Sequence, residues 1–168
     1  PRLSVISKLL RSLFLHREIR EKGGAYGGFA LYNIETGLFS FASYRDPHIL
    51  ETLNVFERAS AFISSGGYRD EDIKEAILQV CSDIDKPDPP GPAAKKSFYR
   101  KIVSMQDEDR RRFKKRLLLL KKKDVMKTAR RYFRADSGPY GVAVISSDDR
   151  LKQVNQKMSE RPLSLHKI

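Results

Sequence analysis

The stretch from Arg20 to Gly28, R-E-K-G-G-A-Y-G-G, holds two side chains equipped for chemistry and surrounds them with glycine. Arginine brings a planar fork of donors suited to carboxylates or polarised carbonyls. Tyrosine brings a phenol O–H that can donate to an oxygen as negative charge develops on it. Five residues separate Arg20 from Tyr26, and Gly23, Gly24, Gly27 and Gly28 flank the phenol. Glycine is costly in ordered structure unless the backbone needs positive φ or a close approach to a neighbour. The junction therefore reads as a backbone shaped to present one phenol.

Other reactive residues are less well placed. His48 and Glu51 stand at H-x-x-E spacing, but Thr52 occupies the place where an H-x-x-E-H zinc helix needs its second imidazole. No metal site is expected in this chain. The glycine-rich junction lacks the Lys and following helix of a phosphate loop, and no Ser/His/Asp arrangement is supported. Cys81 is the sole cysteine, which removes internal disulfides and Cys-based metal sites. It reads as a small core side chain, and its solitude fits a reducing interior such as a bacterial cytoplasm or an organelle matrix.

The chain has 168 residues, 40% of them hydrophobic, which suits one domain with its own core. No apolar run approaches the length of a membrane span, and no membrane partner is expected. Formal net charge is +12, concentrated between Lys95 and Arg134, where 17 Lys and Arg face 4 Asp and Glu. Such a segment suits nucleic acid, an acidic protein or an anionic membrane surface, or simply a solvated helix face. Phe98, Tyr99, Phe113, Tyr132 and Phe133 are interleaved there at helix-compatible spacings, a core stripe rather than a stacking platform, so nucleic acid is not the favoured partner.

These residues need elements to hold them. Leu3, Ile6, Leu9, Leu10, Leu13 and Phe14 keep the helical period up to Gly23 and Gly24. Residues 26–34 and 38–44 alternate as two strands around Glu35-Thr36-Gly37, a β-hairpin. Asp46 is expected as N-cap and Pro47 as first residue of a helix that "SSGG" ends. A further helix spans 71–84, and basic helices are expected near 93–104, 108–120 and 124–134, within a basic helical segment 93–134. Residues 138–146 and 162–168 read as strands, with a helix over 147–158 between them. The class is α+β, with a mostly antiparallel or mixed sheet and several helices. The helices outnumber the strands, and the first helix is apolar with nothing ahead of it to cover that face. One or two upstream strands are therefore expected to be missing, making the chain the tail of a larger protein.

The stretch F-L-H-R-E-I-R-E-K-G-G-A-Y-G-G-F-A-L-Y-N-I-E-T-G-L-F-S-F-A-S-Y-R-D-P (14–47) resembles the C-terminal part of the presequence proteases and falcilysins. These are a branch of the pitrilysin and insulin-degrading-enzyme superfamily of zinc metallopeptidases. The motifs are the helix ending L-x-x-x-I-R, the R-E-K-G-G-A-Y-G-G junction, the hairpin and the S-Y-R-D-P helix start. Weaker agreement continues to the C-terminus. The resemblance implies that residues 1–168 are part of the fourth of four related domains of the LuxS/MPP-like metallohydrolase fold, which close around a chamber for unstructured peptides. It implies that zinc is held by an upstream domain and none by this chain, which alone would be inactive. Tyr26 would take the catalytic place, hydrogen-bonding the scissile carbonyl, and Arg20, with Gly24 and Gly27, the substrate-binding place. The implied partners are the upstream domains of the same polypeptide and peptide substrates. Two alternatives stand beside this: a catalytically silent scaffold of the same fold, and a basic module that binds nucleic acid or another anion.

Overall fold

The computed structural model describes residues 1–134, 140–158 and 162–167. Helix α1 (Arg2–Leu10) continues without a break into a π-wound segment (Arg11–Glu21), in which the Lys22 N–H reaches back five residues to the Arg17 carbonyl at 3.0 Å. Strands β1 (Gly27–Tyr32) and β2 (Phe39–Tyr44) follow, then α2 (Ile49–Ser65), α3 (Asp70–Asp85), α4 (Pro90–Ile102), α5 (Asp107–Leu118), α6 (Lys122–Tyr132) and α7 (Asp148–Lys157). This is an α+β fold, mostly helical, with one small antiparallel sheet.

Helix α1 is the hub. Val5, Ile6 and Leu10 are fully buried, and α1 packs against α3, α6 and β1. The sequence left this apolar helix without a cover; the structure supplies one from elements that come later in the chain. Burying such side chains contributes about 1.5–3 kcal/mol each relative to exposure.

The hairpin pairs Gly27 with Tyr44 at one end and Tyr32 with Phe39 at the other. Its turn is held by the Asn33 carboxamide oxygen, which accepts the Glu35 and Thr36 N–H groups, and Gly37 takes the positive φ of 74° that closes it. Ala30, Phe39 and Phe41 share the face turned to the core. From there an aromatic chain runs both ways: Phe39 meets Phe133 edge-on at 4.9 Å, and Phe41 stacks on Phe56 of α2 at 5.3 Å. Phe14 of the π-wound segment stacks on Phe62 of α2 at 4.9 Å.

Helices α3, α5 and α6 begin in the same way. An aspartate in the first turn (Asp72, Asp109, Asp124) accepts the N–H of the residue just before the helix, at 2.7, 3.0 and 3.1 Å. This satisfies one otherwise unpaired donor and places negative charge at the positive end of the helix.

Three expectations need correction. Helix α2 starts at Ile49, because the Asp46 carboxylate accepts the His48 N–H at 2.8 Å and the Thr52 hydroxyl at 2.6 Å. That closes a turn around Pro47 before the helix begins. The strand expected over 138–146 is absent from its described part, residues 140–146, where Tyr140 and Ile145 are 71% and 89% exposed. Residues 162–167 of the expected closing strand are likewise irregular; the remainder of both stretches lies outside the described residues. A strand needs a ladder partner for its backbone groups, and these segments have none among the described residues.

Core and rim should separate cleanly in urea unfolding. Leu10→Ala is expected to lose about 2–5 kcal/mol of stability. Phe98→Ala, on helix α4, which buries no residue, is expected to change it by less than about 0.5 kcal/mol.

Candidate active-site junction

Ile19, 1% exposed, is the peg around which the junction folds. Its carbonyl accepts the Ala25 N–H at 3.1 Å, while the Gly24 N–H turns back to the Arg20 carbonyl at 3.0 Å. A Cβ on Gly23 would lie 2.6 Å from the Ile19 oxygen, and one on Gly28 would lie 2.9 Å from Ile19 Cδ1. Only glycine allows the chain to pass Ile19 on both sides. Gly24 carries the reversal itself, with φ of +71°, a region costly for residues with a side chain.

The consequence is a fixed backbone with a free ring. The Tyr26 N–H donates to the Tyr44 carbonyl at 3.1 Å, extending the hairpin ladder by one bond. The Tyr26 side chain is 63% exposed and meets the Tyr44 ring edge-on at 5.9 Å. The Arg45 guanidinium lies over the other part of this aromatic pair, 5.4 Å from the Tyr44 ring centre. Arg45 does so with a φ of 48°, a strained value for a residue with a Cβ.

Arg20 is exposed at the end of the π-wound segment, and its guanidinium has no hydrogen bond or ion pair with a described residue. The junction thus presents both residues to solvent, without direct contact between their side chains. Gly24 is exposed; Gly27 is buried, and the direction of its absent Cβ is filled by the Phe29 ring at 2.9 Å. Gly27 therefore has a packing reason of its own.

Beside the junction lies an open cleft of about 720 Å³, with Glu18, Lys22 and Gly23 on one wall and His48, Glu51 and Arg58 on the other. Neither Arg20 nor Tyr26 lines it. Glu18, whose side chain is 12% exposed, accepts from Lys22 at 2.5 Å and from Arg58 at 3.0 Å. Lys22 first, then Arg58, hold its carboxyl below the ordinary carboxylate range against the opposing effect of burial. No group of three or more His, Cys, Asp and Glu side chains fit to hold a metal occurs among the described residues. The His48–Glu51 pair in the cleft is too small a donor set for zinc.

Residues 1–148 match the family described as the PreP C-terminal domain. The chain belongs to this family. Among similar proteins, the mitochondrial presequence protease of Xenopus tropicalis is 34% identical over 148 residues, which are 88% of this chain and 14% of that protein. The mitochondrial presequence protease of Mus musculus is 32% identical over 160 residues, 95% of this chain and 14% of that protein. That of Kluyveromyces lactis reaches 47% identity over 87 residues, 51% of this chain and 9% of that protein. The chain thus spans about one seventh of the length of its Xenopus and mouse relatives.

Within this PreP C-terminal domain, the sequence brought out Arg20 and Tyr26 but missed Tyr44 and Arg45. Tyr44 had a signal: counting back from the Gly37 turn places it opposite Gly27, next to the phenol. Arg45 stands next to Tyr44 and Lys22 one helical turn from Glu18, so both had a local signal; only the Arg58–Glu18 contact depends on the fold.

The Glu18 cluster gives a pH test. A carboxyl whose folded value is depressed adds stability that is present above its unfolded value and is lost as pH falls through the folded one. Glu18→Gln is therefore expected to lower urea stability at neutral pH, and the gap to the parent chain should narrow as pH falls below the ordinary carboxylate range. Its size should be modest, since Lys22 and Arg58 are 55% and 60% exposed.

Proposed function

We propose that this chain is the C-terminal part of a presequence-protease-like peptidase that degrades unstructured peptides, and that it contributes Tyr26 and Arg20 to the handling of the scissile bond. The zinc of such a peptidase is assigned to an upstream domain, because the described residues of this chain offer no donor set for it. The names of the similar proteins support the peptidase reading, and the family membership supports the position in the polypeptide. The observation that carries the residue assignment is the exposed phenol of Tyr26 on a backbone held by Tyr44 and Ile19.

In this reading the Tyr26 O–H donates to the scissile carbonyl oxygen as that carbon becomes tetrahedral. The bond strengthens as charge grows on the oxygen, so it favours the transition state over the bound substrate. Fixing the tyrosine backbone in advance reduces the ordering cost at the moment of reaction. Arg20 holds a backbone carbonyl or the C-terminal carboxylate of the peptide, a role that its planar fork suits better than lysine would.

The test is Tyr26→Phe in the full-length polypeptide. Turnover of an unstructured peptide should fall by about 10²–10³-fold, about 3–4 kcal/mol. Thermal stability and bound zinc should be unchanged, because the hydroxyl is exposed and makes no hydrogen bond with a described residue. Arg20→Lys should act mainly on KM. Unchanged turnover in Tyr26→Phe would defeat the assignment.

A further inference from the structure

The candidate junction does not use the basic helices, and their placement carries an inference of its own. Helix α4 buries no residue, yet Phe98 is 67% exposed and Ile102 63%. Ala94, Phe98 and Ile102 fall at i, i+4 and i+8, a single apolar stripe. At about 100° per residue, Lys95 and Lys101 flank that stripe on either side. The stretch after it continues both properties: Leu118 at the end of the basic α5 and Leu119 just beyond it are 58% and 66% exposed.

Much of the charge is not neutralised internally. Lys96 pairs with Asp88, Lys114 with Asp85, and Arg110 with Asp107. Lys95, Lys101, Arg111 and Lys115 have no ion pair with a described residue. An occupant must therefore be anionic and must also accept aliphatic and aromatic side chains. A nucleic-acid duplex meets the first requirement, but it offers no apolar phase to Ile102 or Leu119. An anionic phospholipid surface meets both: its headgroups attract the lysines, and its acyl boundary takes the stripe.

We propose that α4, together with the basic α5 that follows it, seats this chain peripherally on an anionic phospholipid surface. No described helix is long and apolar enough to cross a membrane. The expectation of no membrane partner rested on that absence of a span, whereas lying on a surface requires one amphipathic face and positive charge around it. The proposal does not depend on the peptidase reading.

The experiment is cosedimentation of the full-length polypeptide that carries this chain with phosphatidylcholine vesicles, with and without phosphatidylglycerol. The chain should pellet with the anionic vesicles, stay in solution with the neutral ones, and be released as salt is raised. Phe98→Asp with Ile102→Asp should weaken partitioning by about tenfold or more. Lys95→Glu with Lys101→Glu should weaken it by a similar factor, about tenfold. Both double variants should keep the parent circular-dichroism melting curve, since α4 contributes nothing to the core. Equal binding to neutral vesicles, failure to bind either kind, or indifference to both double variants overturns the proposal. So does tighter binding to duplex RNA than to the anionic vesicles, which would reassign the surface to nucleic acid.

Discussion

The contact on which this chain depends is the wrapping of a glycine-rich backbone around Ile19. One buried side chain and its carbonyl are approached from both directions, and each approach is possible only because a Cβ is absent. From this packing follow the end of the π-wound segment, the reversal at Gly24 and the entry into β1. The phenol at Tyr26 inherits its position from that sequence of constraints. The phenol is thus oriented by steric packing and backbone hydrogen bonds, which leaves its own hydroxyl unspent among the described residues.

The rest of the core serves to hold that packing still. Helix α1 is enclosed by α3, α6 and β1, so the π-wound segment grows out of the most buried element of the chain. The hairpin would be marginal by itself, as two-stranded sheets are in water. Here one face is fastened by the aromatic series from Phe133 through Phe39 and Phe41 to Phe56. The two halves of the junction, helix end and strand start, are consequently anchored to the same core and cannot drift apart. The outer helices are bound more loosely: α4 shares no such packing, and α7 is tied by polar contacts such as Arg150 to the Pro47 carbonyl at 2.9 Å.

Much of this was legible in the residues because it is written in local chemistry. Gly66, the Pro89–Pro90 pair and the Asp70-Glu71-Asp72 start mark helix ends whether or not the fold is known, and Gly37 marks the hairpin turn. Arg20 and Tyr26 stood out for the same reason, as reactive types in an expensive backbone context. What escaped reading depends on which of several locally possible geometries the fold selects. The π winding leaves Leu15 and Ile19 four apart, a spacing that an ordinary helix also produces. Asp46 has the composition of a cap but uses its carboxylate to close a turn first. The valine-rich stretch after Tyr140 has strand propensity, and propensity without a neighbouring ladder does not make a strand.

The register of the hairpin has a further consequence for how this domain can vary. Tyr44 sits opposite Gly27, and its ring and carbonyl are what locate Tyr26. Because strand side chains alternate with a period of two, adding or deleting one residue in the loop between Asn33 and Leu38 would bring Ser43 or Arg45 to that place and turn Tyr44 to the opposite face. The loop's length is tied to a residue at the far end of the sheet. Loop length here is in effect an alignment screw for the phenol, so lineages that retain the tyrosine should keep Asn33 and Gly37 for the turn and tolerate few insertions.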